Sequence, residues 1–340
     1  MLYIRVDGNP EISTGHINRC LSIADAFKDK SIETTFIVAD EYMKNSISER
    51  GHHVICLDSD YADMGKETNQ MAQLIKERHV EKLIVDSYFV TFAYLQALRK
   101  LTYIVYIDDL NAFHYPCGML INYNIYADKL DYQTRYPKTA LLLGCGYAPL
   151  RKEFQNLPSR VLRKDVKSIL VTTGGADPYN VAIKLVKAAK TNPYLRHLEF
   201  DIVAGQFHPN KNALELLERE YNGVNIHMNV KNMSQLMLNC DVAVSAGGST
   251  LYELCACGTP TITLSLTDNQ IAGVTDFGEG YMINAGDIRG NEELCFNGML
   301  NGILQLASSY RLRCNLSEKT QKLVDGRGAL RIAEALLFHL

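Results

Sequence analysis

A glycine and a histidine, Gly15-His16, stand just behind the apolar-rich run at residues 2–6 and just ahead of a stretch with helical periodicity. Histidine is the side chain whose charge changes near neutral pH, so His16 can take or give a proton there. The glycine lets backbone come close to a ligand. A strand-to-helix turn of this kind lies at the carboxyl end of a strand, where open α/β sheets bind their ligands. Other polar residues fall at expected strand ends: Arg5 and Asp7, then Asp86, Ser87 and Tyr88, then Asp108 and Asp109. A carboxylate among them would orient the imidazole, and Asp7 and Asp109 are the candidates. Arg19 reads as an ion-pairing residue of the helix. A plainer reading is also open: His16 as an ordinary helix N-terminal residue, and Asp108-Asp109 as a strand-end turn.

A second constellation suits an anion. The run Ala246-Gly247-Gly248-Ser249-Thr250 follows an expected strand and opens a helix carrying Glu253. Paired glycines free the backbone to wrap a phosphate, and a helix N-terminus offers unpaired N–H groups at the positive end of its dipole. Ser249 and Thr250 add hydroxyls, and Glu253 is placed to accept from a ribose diol. Alone, the pair reads equally well as a tight turn capped by Ser249. A second pair, Gly174-Gly175 in Thr173–Pro178, also follows a strand directly, and Thr267-Asp268-Asn269-Gln270 follows another. Asn269 and Gln270 suit the hydroxyl and amide groups of a sugar. No Walker motif, G-x-G-x-x-G, H-E-x-x-H, C-x-x-C or G-x-S-x-G is present, so neither a metal nor a cofactor is expected.

These residues need strands to carry them. Short β-rich runs at 2–6, 34–38, 53–57, 83–86, 103–108 and 140–143 alternate with helical patterns such as 64–78 and 93–100. The rhythm repeats with strands at 168–172, 199–203, 224–227, 242–245 and 261–264. Alternation predicts an α/β chain of parallel sheets with helices on both faces. The weakly periodic stretch 146–164, with Pro149 and Pro158, reads as a linker. The expected organisation is two Rossmann-like domains facing a cleft, 1–150 and 151–327. A last helix, 328–340, would be free to pack back on the first domain. With 340 residues, 47% hydrophobic and 21% charged, the chain is ordinary for a folded protein. Its net charge of -3 argues against nucleic acid as a partner. No apolar run reaches membrane-spanning length, and no signal peptide is visible. Nine cysteines without paired spacing read as reduced, cytoplasmic thiols.

In order along the chain, "IRVDGNPEISTGHINRCLSIA", "IVDSY", "YIDDL", "LLLGCGYAPLRKEF", "ILVTTGGADPYN", "SAGGSTLYELCACGTP", "TDNQ" and "LVDGRGALRI" resemble the UDP-sugar hydrolases of pseudaminic acid biosynthesis and their spore-coat polysaccharide relatives. That resemblance implies a GT-B type fold. It implies hydrolysis of a UDP-linked diacetamido-trideoxy hexose to UDP and free sugar, with inversion. It assigns His16 as the base that activates water. It places UDP on Gly247, Gly248, Ser249, Thr250 and Glu253, and phosphate or sugar on Asn269 and Gln270. The segments around Tyr88 ("VDSYFV") and Tyr147 ("GCGYAPLR") depart from the commoner forms "VDHYGL" and "YALLR", and both would line the sugar subsite. Three rivals stay open: a GT-B glycosyltransferase, a non-catalytic nucleotide-sugar binding protein and a UDP-sugar 2-epimerase.

Overall fold

A computed structural model describes residues 1–9, 11–12, 14–174, 177–205 and 208–338. The chain forms two compact units, one made of Met1–Arg151 with the chain from Arg327 onward, the other of Lys152–Gly326.

The first unit holds a seven-stranded sheet. Its strands are β1 (Leu2–Val6), β2 (Thr34–Val38), β3 (His53–Cys56), β4 (Lys82–Asp86), β5 (Tyr103–Ile107), β6 (Met119–Asn122) and β7 (Ala140–Leu143), in the order β3-β2-β1-β4-β5-β6-β7. The second unit holds β8 (Ser168–Thr172), β9 (Glu199–Ala204), β10 (Val224–Met228), β11 (Val242–Ala246), β12 (Thr261–Ser265) and β13 (Ile283–Asp287), in the order β10-β9-β8-β11-β12-β13. Every pairing is parallel. Parallel strands are covered on both faces and therefore read as continuous apolar runs. β1, β2, β8, β11 and β12 are buried at every residue. Two strands escape a reading by pattern. β6 follows β5 with no helix between them, and β13 is an incompletely buried edge strand containing Gly286 at φ 102°.

In both sheets the strand order reverses once, between β1 and β4 and again between β8 and β11. The chain leaves those neighbouring strands in opposite directions, which opens a crevice at their carboxyl ends. β1 leads to the helix Gly15–Lys28, which carries His16, and β4 ends on Asp86; the segments beyond β8 and β11 carry Gly174 and Gly247–Thr250.

Register decides which side chains can meet. Arg5 lies beside Val85, and Val6 beside Asp86. Alternation therefore puts Arg5, and Asp7 two residues on, on the face of Tyr3, Leu83 and Val85. That face packs on the helices Thr68–Glu77 and Phe92–Arg99 through Met71, Ile75, Tyr94 and Leu95. Asp86 points to the opposite face, against α1 (Gly15–Lys28). The terminal helix Gly328–Phe338 packs on α1 as well.

Arg5 is wholly buried and fully occupied. Its Nε and Nη2 donate to Glu67 Oε1 and Oε2 at 2.8 and 2.9 Å, and Nη1 donates to Asp7 Oδ2 at 2.5 Å. Asp7 Oδ1 accepts from the Ala39 amide at 2.7 Å. Glu67 also accepts from the Tyr94 and Ser59 hydroxyls at 2.8 and 2.7 Å. Burial pushes the Asp7 carboxyl up, against the pull of Arg5. Arg5 and Asp7 are thus a structural tie beneath the sheet and do not orient His16, because strand alternation turns them away from it. Glu67→Gln leaves Asp7 as the counter-charge of Arg5 but weakens the charge-assisted hydrogen bonds that Glu67 accepts. It should therefore cost about 1.5–3 kcal/mol of stability, read as a lower urea midpoint for the first unit; an unchanged midpoint would refute the tie.

Candidate active site

His16 sits in the first turn of α1, with 14% of its side chain exposed. Its Nδ1 lies 2.6 Å from Asp86 Oδ1. Arg19, one turn along α1 and on the same side, grips that carboxylate through Nε to Oδ2 at 2.6 Å and Nη2 to Oδ1 at 2.5 Å. Its Nη1 reaches both oxygens of Asp109 at 3.1 and 2.9 Å and the Tyr123 hydroxyl at 3.0 Å. Asp109 accepts further from the Tyr88 hydroxyl at 2.8 Å and from Asn124 Nδ2 at 2.8 Å. The Tyr88 ring meets the His16 ring edge-on, with centroids 4.6 Å apart.

Arg19 Nη2 also lies 2.9 Å from His16 Nδ1. That nitrogen cannot both donate to Asp86 and accept from Arg19. Burial alone would raise the Asp86 carboxyl, but the Arg19 and His16 charges and their hydrogen bonds hold it well below the usual carboxylate range. An ionised carboxylate only accepts. Nδ1 therefore carries a proton and donates to Asp86, Arg19 donates to the same oxygen beside it, and in the neutral ring Nε2 is the acceptor. Asp109 is likewise held low, the pull of Arg19 and His16 overcoming its burial.

The orienting carboxylate is thus Asp86, where the sequence pointed to Asp7 or Asp109. Asp109 belongs to the same cluster but reaches His16 only through Arg19 and Tyr88. Its neighbour Asp108 serves the turn, accepting from the amides of Leu110 and Asn111 and from the Tyr132 hydroxyl. The parity of β4 and the three-residue spacing of His16 and Arg19 carried a signal for Asp86. Choosing between it and Asp7 required the β1–β4 register. A side chain at Gly15 would meet nothing within 4 Å, so space stands open there. Tyr147 closes a 3-10 turn after β7, at the sheet edge three strands from β4, and is not part of the His16 cluster.

In the second unit, the turn after β11 is shaped by contact. A Cβ at Gly247 would fall 2.4 Å from Val274 Cγ2 and 3.1 Å from Gln270 Cβ, whereas one at Gly248 would meet nothing within 4 Å. Gly247 lets the turn sit on the following connection, and Gly248 keeps the outside clear. Ser249 has helical dihedrals and makes no capping bond, so its exposed hydroxyl is not spent closing the helix. Thr250 begins that helix, and the half-buried Glu253 lies in its first turn. Beside it, Gln270 Oε1 accepts from the Leu266 amide at 2.9 Å and Asn269 Oδ1 from the Thr267 hydroxyl at 2.6 Å. Both side-chain amides have their carbonyl ends tied back, which leaves NH2 groups as the donors they can offer. Gly174 adopts φ 85° on the neighbouring strand end; Gly175 lies outside the described residues.

Gly247→Ala should lose about 1–3 kcal/mol through overpacking, while Gly248→Ala should keep wild-type stability. Thermal melts would check both. Equal melting temperatures for the two variants would contradict the packing asymmetry.

Among the described residues, no group of three or more His, Cys, Asp or Glu side chains is arranged to hold a metal. No described helix is long and apolar enough to cross a membrane.

Two doubly wound parallel units, each with one reversal of strand order, define the GT-B fold. Among solved structures, the MurG of Acinetobacter baumannii superposes with a TM-score of 0.70, covering 99% of each chain at 12% identity. The sequence resemblance is borne out by named relatives. The spore coat polysaccharide biosynthesis protein SpsG of Bacillus subtilis is 25% identical over 342 residues, covering 98% of this chain and 96% of its own. The UDP-2,4-diacetamido-2,4,6-trideoxy-beta-L-altropyranose hydrolase of Campylobacter jejuni is 23% identical over 253 residues, covering 73% of this chain and 85% of its own. No family model matches the sequence.

Proposed function

We propose that this protein hydrolyses a UDP-sugar, releasing UDP and the free sugar by inverting attack of water at the anomeric carbon. The sugar is a diacetamido-trideoxy hexose or a close analogue. The setting is nonulosonic acid or surface polysaccharide biosynthesis. The sequence relatives support nucleotide-sugar chemistry of this kind. The observation that carries the reaction type is the 2.6 Å contact of His16 Nδ1 with Asp86. It supports the neutral tautomer with its proton on Nδ1, in which Nε2 would accept a proton of water.

The chemistry needs little else. The terminal phosphate of UDP has a last pKa of about 6, so it departs without a strong general acid. What must be offset is the negative charge that grows on the diphosphate. Backbone N–H groups and the dipole of the helix Thr250–Cys257 are suited to that without reorganising. Ser249, Thr250 and the NH2 groups of Asn269 and Gln270 would hold phosphate and sugar oxygens, with Glu253 on the ribose. A base as well oriented as His16 contributes about 10²–10⁴ in rate. An imidazolium formed beside Asp86 is stabilised as it forms.

The GT-B fold also serves transferases, which pass the sugar to an acceptor. Incubation with UDP-sugars and no acceptor separates the two readings. Release of UDP with the inverted anomer appearing first by NMR supports hydrolysis. Release only after an acceptor is added would make the protein a transferase, and binding without turnover would make it a carrier.

A further inference from the structure

The His16 cluster holds one more negative charge than positive. Asp86 and Asp109 are both ionised and both bonded to one guanidinium, Arg19, which is buried to 7% exposure. With His16 neutral the four groups sum to -1. With His16 protonated they sum to zero. Among the described residues, the titratable and charged groups around the ring are Arg19 from α1, Asp86 from β4, Tyr88 beyond β4, and Asp109 beyond β5. Tyr123, beyond β6, touches Arg19. Cys20 of α1 lies on the far oxygen of Asp86 at 3.4 Å, its thiol kept protonated by burial and that carboxylate.

We infer that Arg19 and Asp109 are positioning residues that jointly set the strength of His16 as a base, Asp109 acting through Arg19 without touching the ring. Arg19 has two opposing effects. Its bidentate grip keeps Asp86 ionised and aimed at Nδ1, yet its own charge, 2.9 Å from that nitrogen, opposes a second positive charge on the ring. Asp109 takes up part of that charge through two contacts to Nη1. The same carboxylate accepts the Tyr88 hydroxyl, so the phenol ring packed edge-on against His16 is fixed by the group that balances Arg19. The proton taken from water then completes a neutral cluster. No charge has to be moved from elsewhere to receive it.

The inference rests on the reading of His16 as the base, and its test keeps the two apart. Two opposite charge deletions, Asp109→Asn and Arg19→Met, are compared with Arg19→Lys. The protonation of His16 is followed by NMR of 15N-labelled histidine, its signal assigned by loss in His16→Ala. This readout does not depend on turnover. Removing a nearby negative charge should move the His16 titration to lower pH, and removing the positive one to higher pH, each by about 1 pH unit or less through a neighbour. Arg19→Lys keeps the charge but not the two-pronged geometry. Its titration should stay within a few tenths of wild type, while kcat falls about 10²-fold. Where hydrolysis is observed, the acid limb of kcat/KM should follow the NMR midpoints in the same directions.

A purely structural role would lower stability or kcat in all three variants without moving the titration in opposite senses. Parallel shifts, or none, would overturn the inference. If Arg19→Met does not fold, the difference between Asp109→Asn and Arg19→Lys decides it, and equal midpoints in those two would overturn it. Opposite shifts in a protein that releases no UDP would uphold the charge arrangement and refute only the hydrolase reading.

Discussion

His16→Ala should lower kcat by about 10²–10⁴-fold and leave UDP binding within a few-fold of wild type. The split follows from where the groups reside. The imidazole belongs to the first unit, and the glycine turn with its amide donors belongs to the second. The substitution removes a mostly buried ring that meets Tyr88 edge-on, so a thermal melt of the variant accompanies the assay. The Asp86 carboxylate keeps both contacts from Arg19 and is not left unpaired. A loss of turnover can then be read as loss of the base. Titration calorimetry with UDP alongside kcat would show it. Retained turnover would remove His16 from the chemistry, and loss of both would mean that the variant had disturbed more than the base.

Asp86→Asn has the next largest expected effect, about 10²–10⁴-fold in kcat. An amide in place of the carboxylate can present NH2 to Nδ1. The ring would then carry its proton on Nε2, where it cannot accept one from water. The substitution also strips Arg19 of one of its two counter-charges, so the variant should be less stable as well. The kinetic loss should exceed what stability accounts for, with KM changing less than kcat because the proposed nucleotide contacts are on other residues. Asp7→Asn provides the contrast. It should lower stability through the Arg5 tie and spare kcat. Equal kinetic losses in Asp86→Asn and Asp7→Asn would contradict the assignment of Asp86.

The alternation of apolar runs with helical patterns carried the α/β class and most of the strands, since parallel strands buried on both faces leave long apolar signatures. It did not carry β6 or β13, one following β5 with no helix between them and the other an edge strand interrupted by glycine. The candidate site was legible in kind. A histidine at the first switch point, carboxylates at neighbouring strand ends and a glycine turn at the second switch point all stand out in the sequence. The pairing was not legible. Asp7, Asp86 and Asp109 look alike as strand-end acids. One faces Arg5 beneath the sheet, one meets His16 and one is held by Arg19, and only register and strand order separate these fates. Glu67, 62 residues from Arg5, has no local mark at all. Its role exists only once β1 is laid beside the helix that Glu67 precedes.

The central claim is that His16 directs water to the anomeric carbon. Turnover of a UDP-sugar in 18O-labelled water tests it most directly, with mass spectrometry of both products. The account predicts one 18O atom in the free sugar and none in UDP. Label in UDP would mean that water attacks phosphorus, and would contradict the assignment of His16 as the base for attack on the sugar.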